Sequence, residues 1–287
     1  MSSLNSIWAI WAVCAQNFRK WRTDYRIWTI AVLMLIMTAI YIDDMRAIAA
    51  EIEEKVPIWT FPFLYSQFHT KLIFTLPVIL LFCGAPFVDD NQTFVIMRSG
   101  RTKWLCGQLL YIVITSALYY LFLLAATLLM TVFTGELSLE WGKTLPTIAN
   151  TGVAHIAGRP FISVSSFVLT YFSPIEAVWF TFILSWLSAI LLGTILFMCN
   201  YLTGTRIFGM AISSALVVLA AVSRTGEMPR LLWVSPVSWN TLESVDVGGL
   251  TLSPPYYYCI GVYCGLILLL SAAVFICGRR KNLDKRW

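Results

Sequence analysis

Charge is scarce in this sequence, and its six longest apolar runs lack it altogether. Runs 27–42, 72–88, 104–133, 177–202, 207–222 and 256–278 contain no Asp, Glu, Lys, Arg or His. Ion-coupled carriers, proton pumps and voltage sensors need ionisable groups inside the membrane. Without them, a protein that moves cargo uphill must receive its free energy from a partner. Paired acids, a Ser/His pair and a His-Glu-x-x-His site are missing too, which excludes intramembrane proteolysis. Histidine is limited to His69 and His155. The cysteines, Cys14, Cys83, Cys106, Cys199, Cys259, Cys264 and Cys277, avoid the polar loops between runs, so no disulfide framework is expected. Gly142-Lys143-Thr144 invites a nucleotide-loop reading. The pattern Gly-x4-Gly-Lys-Ser/Thr fails, because Gly135 leaves six residues before Gly142. The N-terminus has no basic segment and no Ala-x-Ala-like site ahead of its apolar part, so no cleavable signal is expected. No internal repeat is visible, which argues against an inverted-repeat carrier.

What is present is apolar surface. The chain is 59% hydrophobic and 12% charged, with a mean hydropathy of +0.76. Soluble domains carry about 25% charged residues. A chain this poor in charge cannot cover a soluble core, so an all-α integral membrane protein is expected. A span needs about 20 apolar residues, within a range of about 17 to 25. Borrowing flanking residues, the six runs predict spans at about 25–42, 71–88, 104–134, 175–202, 206–223 and 256–278. They are expected to form one transmembrane domain over 1–287, with outer loops at 43–70, 135–174 and 224–255. Within the first outer loop, 45–55 reads as a short helix ended by Pro57. Lys71, His69 and Glu176 fall at span edges. The apolar stretch 231–239 is too short to cross and reads as re-entrant or interfacial.

Basic residues set the orientation. With both termini in the cytoplasm, the inner side holds 13 of the 20 Lys and Arg and only 4 of the 15 acids. The net charge of +5 then anchors the chain to the inner leaflet lipid. The basic residues are dispersed rather than gathered in one patch, so no nucleic acid partner is expected. Ahead of the first span, residues 4–22 read as an interfacial elbow helix. Ile7, Trp8, Trp11, Val13, Cys14 and Phe18 make a broad apolar face, and Arg19, Lys20 and Arg22 follow.

One inner loop stands apart. Residues 89–104 start with Asp89 and Asp90, pass through Phe94, Val95, Ile96 and Met97, and end in Arg98, Arg101 and Lys103. Asp90 or Asn91 can cap a short helix, and Gly100 suits its C-terminal end. The four apolar residues make a patch that such a helix cannot cover alone, so lipid or a protein groove is required.

The run Phe87-x-Asp89-Asp90-x6-Met97-Arg98-Ser99-Gly100-Arg101-Thr102-Lys103-Trp104, together with the elbow and six spans, resembles the permease subunits of bacterial type 2 ABC exporters. Ser235-Pro236-x-Ser238-Trp239 resembles their short outer segment before the last span. The resemblance implies a non-enzymatic subunit in the bacterial plasma membrane. A second permease chain would complete the translocation path. Separate ABC ATPase subunits would hold the ATP and Mg, with no cofactor in this chain. A short cytoplasmic coupling helix would contact the ATPase through Asp90, Asn91, Thr93, Phe94, Val95, Met97, Arg98, Ser99 and Arg101. Charge-free spans suit a hydrophobic or amphipathic cargo: a peptide, a lipid-like molecule or a drug. A non-transporting membrane scaffold or sensor partner, and an ion-coupled carrier, stand as alternatives.

Overall fold

A computed structural model describes residues 2–88, 92–133, 135–136, 138–159, 161–223, 229–246, 249 and 251–280. The chain opens with helix α1 (Ser2–Arg19), followed by a 3-10 turn at Lys20–Arg22. Asp24 caps helix α2 (Tyr25–Glu51), its carboxylate accepting the Arg26 backbone N–H at 3.1 Å. Helix α3 (Phe68–Phe82) and the short α4 (Gln92–Ser99) lead into α5 (Arg101–Val132). Between α5 and the next long helix lie α6 (Thr144–Thr151), α7 (Val153–Ile156) and α8 (Ser166–Tyr171). Helices α9 (Pro174–Thr203), α10 (Arg206–Val222) and α11 (Tyr256–Arg280) complete the bundle. The described strands are β1 (Val56–Pro57) and β2 (Gly135–Glu136), which pair in parallel.

Four of these helices, α2, α5, α9 and the Tyr256–Cys277 part of α11, are long and apolar enough to cross a membrane. At 1.5 Å per residue, the 32 residues of α5 reach about 48 Å. Helices α3 and α10 are apolar but shorter, at 15 and 17 residues. Outward-facing Trp28, Ile36, Leu121, Leu129, Leu268 and Leu269 are exposed, as expected for a membrane-embedded protein whose outer solvent is hydrocarbon.

Helix α9 is the centre, with α3, α5, α10 and α11 packed around it. Of its most apolar window 67% is buried, against 17% for α11, so α9 forms the core and α11 the rim. Ser185, Ser188 and Ala189 lie on its buried face, where small side chains let neighbours approach closely. Ser173 and Glu176 form a capping box at its start, and Gly204 ends it in the left-handed conformation at φ 72°. The chain then reverses into α10.

Three boundaries differ from the expectations. Helix α2 does not end at residue 42 and restart at 45; it runs unbroken to Glu51. Its acids are held by partners, Asp43 by Arg46 at 2.8 Å and the buried Asp44 by Arg159, so they need no loop. Helix α3 begins earlier than expected, at Phe68, and ends at Phe82 rather than continuing to 88. Residues 83–86 leave the helix as a turn. Lys71, expected at an edge, is 1% exposed inside α3. Its ammonium donates to the Ser238 carbonyl at 2.9 Å and to Thr241 Oγ1 at 3.0 Å.

These bonds pin the segment before α11 into the bundle. It winds as 3-10 turns at Pro229–Trp233, Pro236–Asn240 and Leu242–Ser244. The middle turn packs against α9, α10 and α11. Trp239 is fully buried and donates its indole N–H to the Leu232 carbonyl at 2.6 Å. Ser238 Oγ lies 2.7 Å from Ser223 Oγ and 2.8 Å from Ser235 Oγ, and Asn240 donates to Thr75 Oγ1 at 3.4 Å. The segment therefore sits among the helices, with its polar side chains bonded to neighbouring groups.

Candidate partner-docking site

The chain between α3 and α5 is built around two constraints. Gly100 separates α4 from α5 with φ 80° and ψ 150°, a backbone open only to glycine at low cost. Its N–H still closes the last turn of α4 on the Ile96 carbonyl at 2.8 Å. Ser99 Oγ bonds back to the Val95 carbonyl at 2.7 Å. A short helix is thus joined to a long one through a single residue.

Asp90 and Asn91, expected as the caps, lie outside the described residues, as does Asp89. The remaining predicted contact residues divide between two faces. Thr93, Phe94, Met97, Arg98 and Arg101 are exposed, with Phe94 at 71% and Met97 at 73%. Val95 and Ile96 are half-buried against the core, Ser99 is half-buried, and Gln92 is buried. The expected continuous patch of Phe94, Val95, Ile96 and Met97 is therefore split. Successive helical residues point about 100° apart, so positions 94, 97 and 98 share one face and 92, 95, 96 and 99 the other. The inner face packs on α5 and α1. The outer face presents two large apolar side chains beside an arginine.

Two ties that the sequence does not announce hold the chain ahead of α4. Lys20 donates to the Phe87 carbonyl at 2.7 Å, and Asn200 of α9 donates to the Ala85 carbonyl at 3.0 Å and the Cys83 carbonyl at 3.4 Å. A lone asparagine in an apolar run is the one signal that could have drawn attention to Asn200. Phe87, at φ 32°, stacks edge-on against Tyr111 of α5 at 4.7 Å.

Helix α1 braces the same region. A Cβ on Gly107 of α5 would meet Val13 Cβ at 2.6 Å and the Ile10 carbonyl at 2.9 Å, so glycine permits the crossing. Buried Asn17 donates to Gln108 at 2.9 Å, and Trp21 donates to the Tyr111 hydroxyl at 2.8 Å. Burial pushes the Cys14 thiol up to about 11. Ile7, Trp8 and Trp11 face outward. Beside the turn, the Arg26 guanidinium bonds both Asp24 oxygens, at 3.0 and 2.6 Å, and holds that carboxyl below its ordinary range.

Among the described residues no three His, Cys, Asp or Glu side chains gather as a metal site. Comparison with protein-family models, with curated proteins and with solved structures finds no match. What can be said of function rests on this geometry.

Proposed function

We propose that the chain is the membrane-spanning subunit of an ATP-driven exporter, with α4 as the helix on which a separate ATPase acts. The observation that carries this reading is the two-sided α4. One face is fixed to α5 and α1, while Phe94 and Met97 project from the other, exposed among the described residues. An isolated eight-residue helix is marginal in water. Here tertiary packing holds it, and its free face has the size and chemistry of an anchor for a protein groove.

On this reading α3 and α10 join the four long helices as spans, giving six, and α1 lies at the inner membrane surface as the elbow. Both termini are cytoplasmic, in the orientation favoured by the basic residues. ATP-driven closure of two ATPase subunits displaces α4. Gly100 passes that displacement to α5, and the Lys20 and Asn200 bonds pass it to α1 and α9. A second permease chain completes the path. The spans' lack of central charge favours hydrophobic or amphipathic cargo in a bacterial plasma membrane. ATP hydrolysis belongs to the partner, and this chain is not an enzyme.

The test is co-purification. A Walker-motif ATPase encoded beside this chain is expected to copurify with it. Phe94→Asp and Met97→Glu should each remove that ATPase and abolish ATP-dependent efflux. Both side chains are exposed, so stability should change by no more than about 0.5 kcal/mol. Efflux and complex formation that survive both substitutions would sink the assignment.

A further inference from the structure

The rim of the bundle is not of one height. Helix α10 has 17 residues and reaches about 25 Å, whereas the apolar part of α11 has 22 and reaches about 33 Å. Helix α3, packed along α10, is shorter still at 15 residues. The hydrocarbon core of a bilayer is about 30 Å thick. We infer that the bilayer is locally thinned beside α10, whose exposed face fits lipid with its chains drawn down at one end. This rests on the reading of α10 as a span.

Contacts at the two ends of α10 fix where the deficit falls. Near its start, a Cβ added at Gly209 would come within 2.2 Å of Asn200 Oδ1, so this end lies level with the end of α9. The exposed Arg206 there can extend its stem toward a headgroup. At the other end, Ser223 Oγ lies 2.7 Å from Ser238 Oγ in the turn Pro236–Asn240. The Tyr263 hydroxyl donates to the Pro236 carbonyl of the same turn. Tyr263 lies seven residues past Tyr256, about 10 Å along α11. Helix α10 therefore stops about two turns below the start of α11. Among the described residues, 3-10 turns follow it, the first with Arg230 exposed. Irregular backbone facing lipid is not tolerated inside hydrocarbon, so the hydrocarbon must end near Val222. Below that level the face is apolar: Ile207, Phe208, Ile212, Val218 and Val222 are exposed. On α11 the exposed row continues up to Tyr257, a ring suited to the headgroup boundary. Tilting a helix this short reduces its reach further, so the lipid must yield instead.

The experiment is labelling of the full chain with a membrane-impermeant maleimide, in intact cells and in inverted vesicles, with modified sites identified by peptide mass. Native Cys264, exposed on α11 beside Tyr263, and Val222, exposed on α10 beside Ser223, lie at about the same height. In intact cells, Val222→Cys should react about tenfold faster than Cys264, because a maleimide attacks only a solvated thiolate. Leu219→Cys, nearly one turn lower on α10, should react as slowly as Cys264. Ile207→Cys should react in inverted vesicles alone. Monodisperse gel filtration of each variant confirms folding. The inference is overturned if Val222→Cys is as slow as Cys264, as it would be under intact hydrocarbon or a second copy of the chain. It is equally overturned if Cys264 or Leu219→Cys reacts as fast as Val222→Cys. Slow Val222→Cys with Ile207→Cys labelled in inverted vesicles alone sinks the thinning and leaves α10 a span. Labelling of Ile207→Cys in intact cells sinks the six-span reading as well.

Discussion

Lys71 shows how a single side chain organises a region with few other polar resources. It lies in the first turn of α3 and is nine-tenths or more buried, yet two oxygens of the segment before α11 take its protons. A buried acceptor that loses its donor costs about 1–3 kcal/mol. Lys71→Met should therefore lower the melting temperature in detergent and loosen the 229–246 segment, read as faster proteolysis there. Unchanged melting would mean that the two bonds carry no stability. Asp24 gives a pH signature. The Arg26 bond lowers its pKa in the folded chain, so its stabilisation is present above the unfolded carboxylate value of about 4 and lost as pH falls through the folded value. Melting of the wild-type chain should decline over that acid window, and Asp24→Asn should flatten that part of the curve. A variant with the same acid slope as wild type would assign it elsewhere.

At the scale of elements, the crossing of α1 over α5 is sharply constrained. Gly107→Leu drives a branched side chain into Val13 and the Ile10 carbonyl. Overpacking of this kind costs about 1–3 kcal/mol, and α1 is the element free to yield. Trypsin should then cut faster at Arg19 and Arg22 while the long helices keep their circular dichroism. Equal cleavage would show that α1 does not need the close approach. These elements also explain what could be read from the chain alone. The end of α4 was legible because Gly100 acts locally, through its own backbone. The long apolar helices were legible because 20 or so uncharged residues are a physical requirement of hydrocarbon. The end of α2 was not, because Asp44 looks like a loop residue until it meets Arg159, 115 positions away. Lys71 meets its partners 167 and 170 positions away. The split of the α4 patch was legible in principle, since helical periodicity fixes it, but only α5 and α1 decide which half is covered.

For the whole molecule, the distribution of charge gives a topology that chemistry can check. In the proposed orientation the cytoplasmic side holds 13 of the 20 Lys and Arg and only 4 of the 15 acids. A cysteine at position 99 should react with a membrane-impermeant maleimide in inverted vesicles and not in intact cells. One at position 139, on the exposed Leu139, should do the reverse. Labelling of position 99 from outside would invert the map. The central claim is narrower: the outer face of α4 is where a partner delivers energy. A photoreactive benzoyl-phenylalanine at position 94 in living cells tests it most directly. The account predicts one dominant cross-linked product, in which this chain is joined to a Walker-motif ATPase and which disappears when Met97→Glu is added. Cross-links to lipid alone, or to the same protein whether or not Met97 is replaced, would contradict it.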